Sequence, residues 1–427
     1  MLHLRRRLLK TFIVLIIYNL FISLYYWIVR LVAAWNPKAE AWIRGRKHWR
    51  TDLIQQVDNS YRWIWVHCAS AGEFEQGKPV IEKLKQTYPD HKILVTFFSP
   101  SGFNTGKKYK HADAICYLPL DTNSNANQFL DILNPKLVIF IKYDYWYHHL
   151  KAVRAREIPL LLVSAIFRDS QPFFKWYGGL HRKILTFFSH LFVQDVASKD
   201  QLQSIGISHV TVSGDTRFDR VAAISTTFSE VEYIRNFINN SKALVAGSTW
   251  PEDEAMLKQA LLNLEPIKLI IAPHEINRMH IDNLLKLFPN ALKYSEAVNK
   301  ELAQYPVLII DNVGMLSRLY YYADITYIGG GFNKSGIHNT LEAAVWGKPV
   351  LFGPNYQKFK EARDLIQRKA AFSVSNATNL TNILTNLLNN KDKLKESSLS
   401  AQAYVQEQKG ATETIQNYIQ EKRLLTN

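Results

Sequence analysis

Apolar and β-branched residues fall in short, nearly continuous runs along this chain, separated by stretches whose apolar positions recur at helical spacing. The first series reads WIWVHCAS, KILVTFFSP, AICYLPL, KLVIFIKYDYW, IPLLLVSAIF, HLFVQD and HVTVSGD. Runs of this length without alternation predict strands buried on both faces of a parallel sheet. Helical patterns such as 75–87 and 126–133 lie between them, closed at Pro89 and at Asn134 with Pro135. Strand, helix, strand repeats of this kind predict βαβ crossovers.

A polar stretch follows Asp219, and a second series begins near Ser241: ALVAGST, IKLIIAPH, VLIIDNVG, ADITYIGGG, PVLFGP and AAFSV. From Lys391 onward the chain is polar and helix-prone, with no internal repeat. The expected class is α/β, two Rossmann-like domains facing a cleft in the GT-B manner, with an N-terminal membrane-anchor helix. The expected boundaries are 1–36 for the anchor, 37–219 for an acceptor-binding domain and 220–240 for a linker. A nucleotide-sugar-binding domain is expected over 241–390 and terminal helices over 391–427.

The anchor rests on Thr11 to Val29, an apolar run about one bilayer thick, with Arg5, Arg6, Arg7 and Lys10 before it and Arg30 after it. The run is longer than a signal-peptide core and rich in Tyr and Trp, which argues against cleavage. Asn19, Ser23 and Arg30 could share a polar stripe, so spanning and interfacial placements both stay open. A net charge of +15 attracts nucleic acid, anionic lipid or phosphorylated substrates alike. The apolar N-terminus favours the membrane, and Arg44, Arg46, Lys47 and Arg50 suit anionic headgroups. Cys68 and Cys116 have neither zinc nor disulfide spacing, in keeping with a reducing cytoplasmic side.

Candidate chemistry sits at strand ends. Glu73 follows the first run beside Gly72, and a helix is expected to begin near Phe74; such a carboxylate can accept a proton from an attacking hydroxyl. It can equally be a helix-start acid that complements the dipole. In the second half a strand ends in Gly329, Gly330 and Gly331, and a helix is expected near Asn339, so amides and a helix N-terminus would face one anion. Asn339 and Thr340 can cap or donate to phosphate, and Glu342 can accept from ribose hydroxyls; an ordinary capping box explains the same residues. Gly247 to Thr249, Pro273 with His274, and Val313 with Gly314 and Met315 fall at corresponding strand ends. There is no GxxxxGK[ST], no GxGxxG and no DxD, so neither cofactor nor metal is expected. A leaving diphosphate or phosphate would then rely on amides and cations such as Arg217.

Taken together, HCASAGEFEQGKPVIEKL, LVTFFSPSG, KYDYW, SGDTRFD and GGGFNKSGIHNTLEAAVWGKPVLFGPNYQKFKEA resemble the 3-deoxy-D-manno-octulosonate (Kdo) transferases of lipopolysaccharide biosynthesis. The resemblance implies inverting transfer of Kdo from CMP-Kdo to a lipid A precursor of the lipid IV-A type, without metal, at the cytoplasmic face of the cell inner membrane. It implies Glu73 of the Ser-x-Gly-Glu motif as general base, and Arg217 of Gly-x-x-[KR]-Phe-Asp as the cation that stabilises developing charge. It implies CMP contacts at Pro273, His274, Val313, Gly314, Met315, Asn339, Thr340, Leu341 and Glu342. The Glu-x-Glu-x-Trp motif of relatives reads Lys142, Tyr143, Asp144, Tyr145, Trp146, so Lys142 stands at an acidic functional position. An arginine before histidine is missing at His274, and Asn-Ala-Arg reads Ser164, Ala165, Ile166, with Arg168 a possible substitute. Transfer from another nucleotide sugar, and a non-catalytic membrane-bound nucleotide-sugar binder, are the alternatives; no nucleic-acid module is present.

Overall fold

The structure, a computed structural model, describes residues 2–262 and 264–426. The chain divides into two compact units, Met1–Arg220 with Gly410–Asn427, and Val221–Lys409.

The first unit is built on seven strands: β1 (Arg62–Cys68), β2 (His91–Phe97), β3 (Ala114–Tyr117), β4 (Pro135–Ile141), β5 (Leu160–Ala165), β6 (His190–Val193) and β7 (Val210–Val212). They form one parallel sheet in the order β3-β2-β1-β4-β5-β6-β7. Successive side chains of a strand point to opposite faces, and here both faces are covered. Trp63 and Trp65 of β1 enter one core with Val138 and Phe140, whereas Ile64, Val66 and Cys68 enter the other with Ile139 and Ile141. That is why the runs are continuous rather than alternating. Strand order reverses between β1 and β4, and the crevice at their carboxyl ends is where such sheets place ligands.

The second unit repeats the plan with β8 (Ala243–Thr249), β9 (Lys268–Pro273), β10 (Ala291–Lys293), β11 (Val307–Ile309), β12 (Ile325–Ile328), β13 (Val350–Phe352) and β14 (Ala371–Ser373). The order is β10-β11-β9-β8-β12-β13-β14, again parallel. Its switch point lies between β8 and β12, where a Cβ on Gly329 would come within 2.2 Å of the Ser248 carbonyl. Only glycine permits that approach.

The segment 220–240, expected as a linker, is largely ordered structure. The helix Thr216–Thr226 runs through the division between the units, and Ile234 and Phe237 of the helix Ile234–Ile238 are buried. The expected terminal helices part company: Lys391–Gln408 belongs to the second unit, and Ala411–Glu421 to the first. Ile415 and Ile419 complete a core of the first unit, Tyr418 stacks on His190, and Asp219 accepts from the Gly410 and Thr412 amides at 2.6 and 2.7 Å.

The N-terminal helix spans Leu2–Val32. Residues Leu15, Tyr18, Ile22 and Tyr25, spaced three and four apart, form the face turned to the first unit. The Tyr18 hydroxyl donates to Asp121 (2.5 Å), Asn19 Oδ1 pairs with His148 Nε2 (2.7 Å), and Tyr25 meets Trp42 edge-on. Of the expected polar stripe, Asn19 bonds the unit while Ser23 and Arg30 are exposed. Arg46 also departs from its expected place at headgroups. It is buried, donates to the carbonyls of Leu118, Trp42 and Phe98, and lies over the Trp42 ring. Burial pushes its pKa down to about 9. Arg44, Lys47 and Arg50 are exposed as expected.

Candidate active site

At the carboxyl end of β1 the chain turns into the helix Ala71–Thr87, which begins three residues earlier than expected, so Glu73 stands in its first turn. Ser70 caps this helix, and a reciprocal capping box joins them: the Ser70 amide donates to Glu73 Oε2 (3.2 Å) and the Glu73 amide to Ser70 Oγ (3.4 Å). The helix-start role is therefore real. It does not exhaust the residue, because Glu73 is only 9% exposed. Burial, and then the nearby negative charge of Asp144, raise its pKa to about 7 against the pull of the Ala69 and Ser70 amides and Lys142. A carboxylate meant only to cap a helix has no need of a like-charged neighbour.

Asp144 is held from two sides at the end of β4. It accepts from Trp146 Nε1 (2.9 Å) and pairs with His67 Nε2 (2.9 Å), while His67 Nδ1 and Trp65 Nε1 both meet Thr96 Oγ1 at 2.8 Å. Burial keeps the His67 pKa low despite Asp144. Lys142, with a left-handed φ of 71°, lies over the Tyr143 ring. The Tyr143 phenol is raised in pKa by burial and lies within electrostatic reach of Arg168, Asp215, Glu73 and Arg217. Arg168, the suggested substitute for a missing arginine, is thus among the cations that act on this tyrosine.

Arg217 lies in the first turn of the helix Thr216–Thr226 and is forked onto Asp215: Nε and Nη2 reach Oδ2 at 2.9 and 2.8 Å. Asp215 also accepts from Gln76 Nε2 (3.0 Å). Burial alone would raise the Asp215 pKa, but Arg217 and these hydrogen bonds bring it below the usual carboxylate value. Ser164 Oγ and Thr216 Oγ1, 2.9 Å apart, fasten this helix to the end of β5.

A Cβ on Gly72 would meet nothing within 4 Å, and Gly72 has no positive φ. Neither the turn nor the packing requires glycine there; the open space at residue 72, next to Glu73 in the chain, is what an alanine would fill. Gly72→Ala is accordingly expected to hold or raise stability, by up to about 1 kcal/mol from helix propensity, while lowering turnover about tenfold or more. Thermal melting together with steady-state kinetics checks this.

In the second unit the strand ends gather a different set of residues. His274, whose amide donates to the Thr249 carbonyl, stacks on His338 (4.3 Å between ring centres) and on Trp250 (4.8 Å). Trp250 Nε1 donates to His338 Nε2 (3.2 Å), and burial followed by the neighbouring His274 takes the His338 pKa down to about 4. Neither Trp250 nor His338 stands out in the sequence; Trp250 directly follows β8, which is a signal, whereas His338 lies ten residues past β12 and has none. Pro273 closes β9, Val313 is exposed on the loop after β11, Gly314 has φ 95°, and Met315 caps the helix Leu316–Leu319.

Two expectations for this edge need correction. The Gly329 and Gly330 amides do not face an open anion site: they donate to the Gly247 carbonyl and to Asp253 Oδ2, both at 2.9 Å. Asp253 also takes the Tyr327 hydroxyl (2.7 Å) and the Trp250 amide (3.0 Å), clamping the glycine-rich loop. The helix beyond is a single turn, Leu341–Ala344, capped by Thr340 rather than Asn339, so its dipole adds little. Thr340 and Leu341 are buried, and the Thr340 hydroxyl is enclosed without a hydrogen bond in this structure. Asn339 and Glu342 supply the accessible polar groups: Asn339 Oδ1 accepts from the Leu341 amide and Nδ2 donates to Glu342 Oε1, both at 3.1 Å. Glu342 lies close enough to Tyr320 to raise its pKa, after burial.

With this geometry in hand, comparison with known proteins is informative. Residues 29–220 match the family model described as 3-deoxy-D-manno-octulosonic-acid transferase (kdotransferase). The chain is 30% identical over 360 residues to a 3-deoxy-D-manno-octulosonic acid transferase of Rickettsia felis, covering 80% of this chain and 75% of that one. It is 27% identical over 359 residues to a bifunctional glycosyltransferase/methyltransferase of Fusobacterium nucleatum, matching 81% of this chain and only 55% of that longer protein. Among solved structures, UDP-GlcNAc 2-epimerase of Neisseria meningitidis bound to UDP-GlcNAc aligns with a TM-score of 0.59 at 16% identity, over 84% of this chain and 100% of that one. That last likeness speaks for the fold alone.

Proposed function

Since this chain belongs to the Kdo transferase family, a glycosyltransferase family, we propose that it transfers Kdo from CMP-Kdo, with inversion, to a lipid A precursor presented at the cytoplasmic side of an anionic inner membrane. The observation that carries the reading is Glu73: a nearly buried carboxylate with a pKa near 7, next to a Gly72 whose side-chain position is open, with Lys142 close enough to pull that pKa down. A base poised near the working pH takes the proton of the acceptor hydroxyl as that oxygen attacks the anomeric carbon, and CMP leaves. Inversion follows if attack and departure occur on opposite faces in one step. Lys142 and Arg217 offer cations to the Kdo carboxylate or the acceptor phosphate; Lys142 takes this part where relatives carry an acid.

For the nucleotide, the reading rests on Asn339, Glu342 and the His274 edge, with Pro273, Val313, Gly314 and Met315 shaping the loops and Thr340 and Leu341 supporting from within. Asn339→Ala and Glu342→Ala are expected to weaken inhibition by CMP about tenfold, while costing about 1 kcal/mol of stability from the lost side-chain hydrogen bonds. Inhibition titrations paired with melting curves check both numbers; unchanged CMP affinity with a large melting loss would leave those bonds as their whole role. The transfer itself is tested by mass spectrometry of the product made by purified protein from CMP-Kdo and a tetraacylated lipid A precursor. Absence of Kdo addition under those conditions, with competition by UDP rather than CMP, sinks the donor assignment.

A further inference from the structure

We propose that the first unit docks on the membrane at two points, the outer face of the helix Leu2–Val32 and the turn bearing Trp176 and Tyr177, so that this helix lies along the bilayer surface instead of crossing it.

The helix contains an apolar stretch, Ile13–Val32, long enough to cross a bilayer. Yet its middle is occupied by protein. Tyr18 and Asn19 bond Asp121 and His148, Ile22 is 3% exposed, and Tyr25 packs on Trp42 and Phe98. Those contacts span eight residues, Tyr18 to Tyr25, about 12 Å of helix. A crossing helix would have to draw the buried Asp121 carboxylate and the imidazoles of His148 and His149 into hydrocarbon, at a cost of several kcal/mol or more. The opposite face carries Ile17, Leu24 and Leu31, seven residues apart and all exposed. One apolar face along a bound helix is the pattern of an interfacial segment.

The second point is a built turn. Trp176 is 92% exposed, with Tyr177 edge-on to it at 5.5 Å. Their presentation is not loose. Arg182 Nη1 donates to the carbonyls of Phe173 and Lys175 at 2.9 Å, Phe173 is buried against Tyr145 and Phe167, and Gly178 closes the turn where a Cβ would strike the Pro172 carbonyl. A fully exposed tryptophan held on a fixed turn that also carries Lys175 has the amphipathic and cationic character of a bilayer-interface anchor. The turn follows β5. The helix docks over the segments that follow β2, β3 and β4, at Phe98, Asp121 and His148. Both contacts therefore lie on the carboxyl edge that also bears Glu73. The occupant they fit is the headgroup region of an anionic bilayer, opposite in sign to Lys175 and Arg30 and able to take the exposed Ile17, Leu24, Leu31 and Trp176 side chains.

This inference rests on the membrane part of the reading above and not on the sugar transferred, and its test needs neither donor nor acceptor. Cys68 and Cys116 are buried, so a cysteine introduced at Ile17, Leu24, Leu31 or Trp176 of the full chain takes a bimane label selectively. The labelled proteins are mixed with phosphatidylethanolamine and phosphatidylglycerol vesicles carrying bromine near the headgroup or near the acyl end. The expected result is stronger quenching by the shallow bromine at all four positions, with the same shallow-to-deep ratio at 17, 24 and 31, and none at Lys136 on the opposite edge of the sheet. In addition, Trp176→Ser with Tyr177→Ser should reduce vesicle partitioning about fivefold to tenfold with an unchanged melting temperature. A maximum of deep quenching at Leu24 flanked by shallow positions identifies a crossing helix and overturns the proposal. So does a label at 176 that neither bromine quenches, which would take the turn off the membrane.

Discussion

Glu73→Gln is expected to lower turnover by about a hundredfold or more while leaving CMP-Kdo affinity within about twofold, the signature of a group that acts in the transition state. The amide keeps the size and can still accept from the Ser70 amide, and the residue 73 backbone amide still donates to Ser70 Oγ, so the capping box survives. What disappears is the proton acceptor. The pH profile gives the same residue a second test. With the pKa raised to about 7 by burial and then by Asp144, the base is protonated below that value, so kcat should fall tenfold per unit on the acid side and level off above it. Asp144→Asn removes the like charge, and the inflection should move toward lower pH. It would also disturb the bonds to His67 and Trp146, so the inflection rather than the rate is the quantity to read. A glutamine variant of near-normal turnover would reduce Glu73 to a helix cap and make Asp144 the next candidate base.

Arg217→Ala should have the next largest effect, and on two properties at once. Its guanidinium neutralises Asp215, which is buried. Removing one partner of a buried pair costs about 3–5 kcal/mol, and the partial exposure of Arg217 brings the expectation to about 2 kcal/mol. The sign with pH follows from Asp215. Its folded pKa lies below the usual value, so its contribution is present above the unfolded pKa and lost as pH falls through the folded one. The wild type should therefore lose this increment in acid, and the alanine variant should lack it near neutrality. Turnover should drop about a hundredfold if Arg217 meets developing negative charge. Arg217→Lys separates the two roles. It keeps a cation but not the fork onto Asp215, so activity should recover partly while stability does not. Denaturant unfolding at pH 3 and pH 7, beside kinetics near neutrality, measures both.

Strands buried on two faces announce themselves as unbroken apolar runs, and the parallel order of both sheets was legible from them because helical stretches separate the runs. β10 escaped because three residues, Ala291–Lys293, at a sheet edge carry no period. Helix starts were less legible. Ser70 and Glu73 form a capping box three residues upstream of the expected start, masked by a run of small residues that propensity leaves undecided. Glu73 itself could be found from its strand-end address, whereas its neighbours could not. Asp144 comes within electrostatic reach of it only because β1 and β4 are adjacent in the sheet, although the two positions lie about seventy residues apart. The clamp on the glycine-rich loop was likewise hidden, since Asp253 reads as an ordinary first-turn acid and its bond to Gly330 exists only in the folded unit. The buried face of the N-terminal helix eluded a reading by polarity because that face is aromatic and aliphatic, with Asn19 at its margin.

The return of Ala411–Glu421 to the first unit has a consequence for biogenesis. The ribosome delivers β1 to β7 early, but Ile415, Ile419 and the amides that satisfy Asp219 emerge only after the entire second unit has been made. The nascent first unit must wait with an uncovered apolar flank around Phe192 and His190. The second unit, continuous in the chain, can fold in one piece behind it. Early termination would thus strand the older half unfinished, and a chaperone that shields that flank during translation should raise the yield of the full chain more than that of the second unit alone.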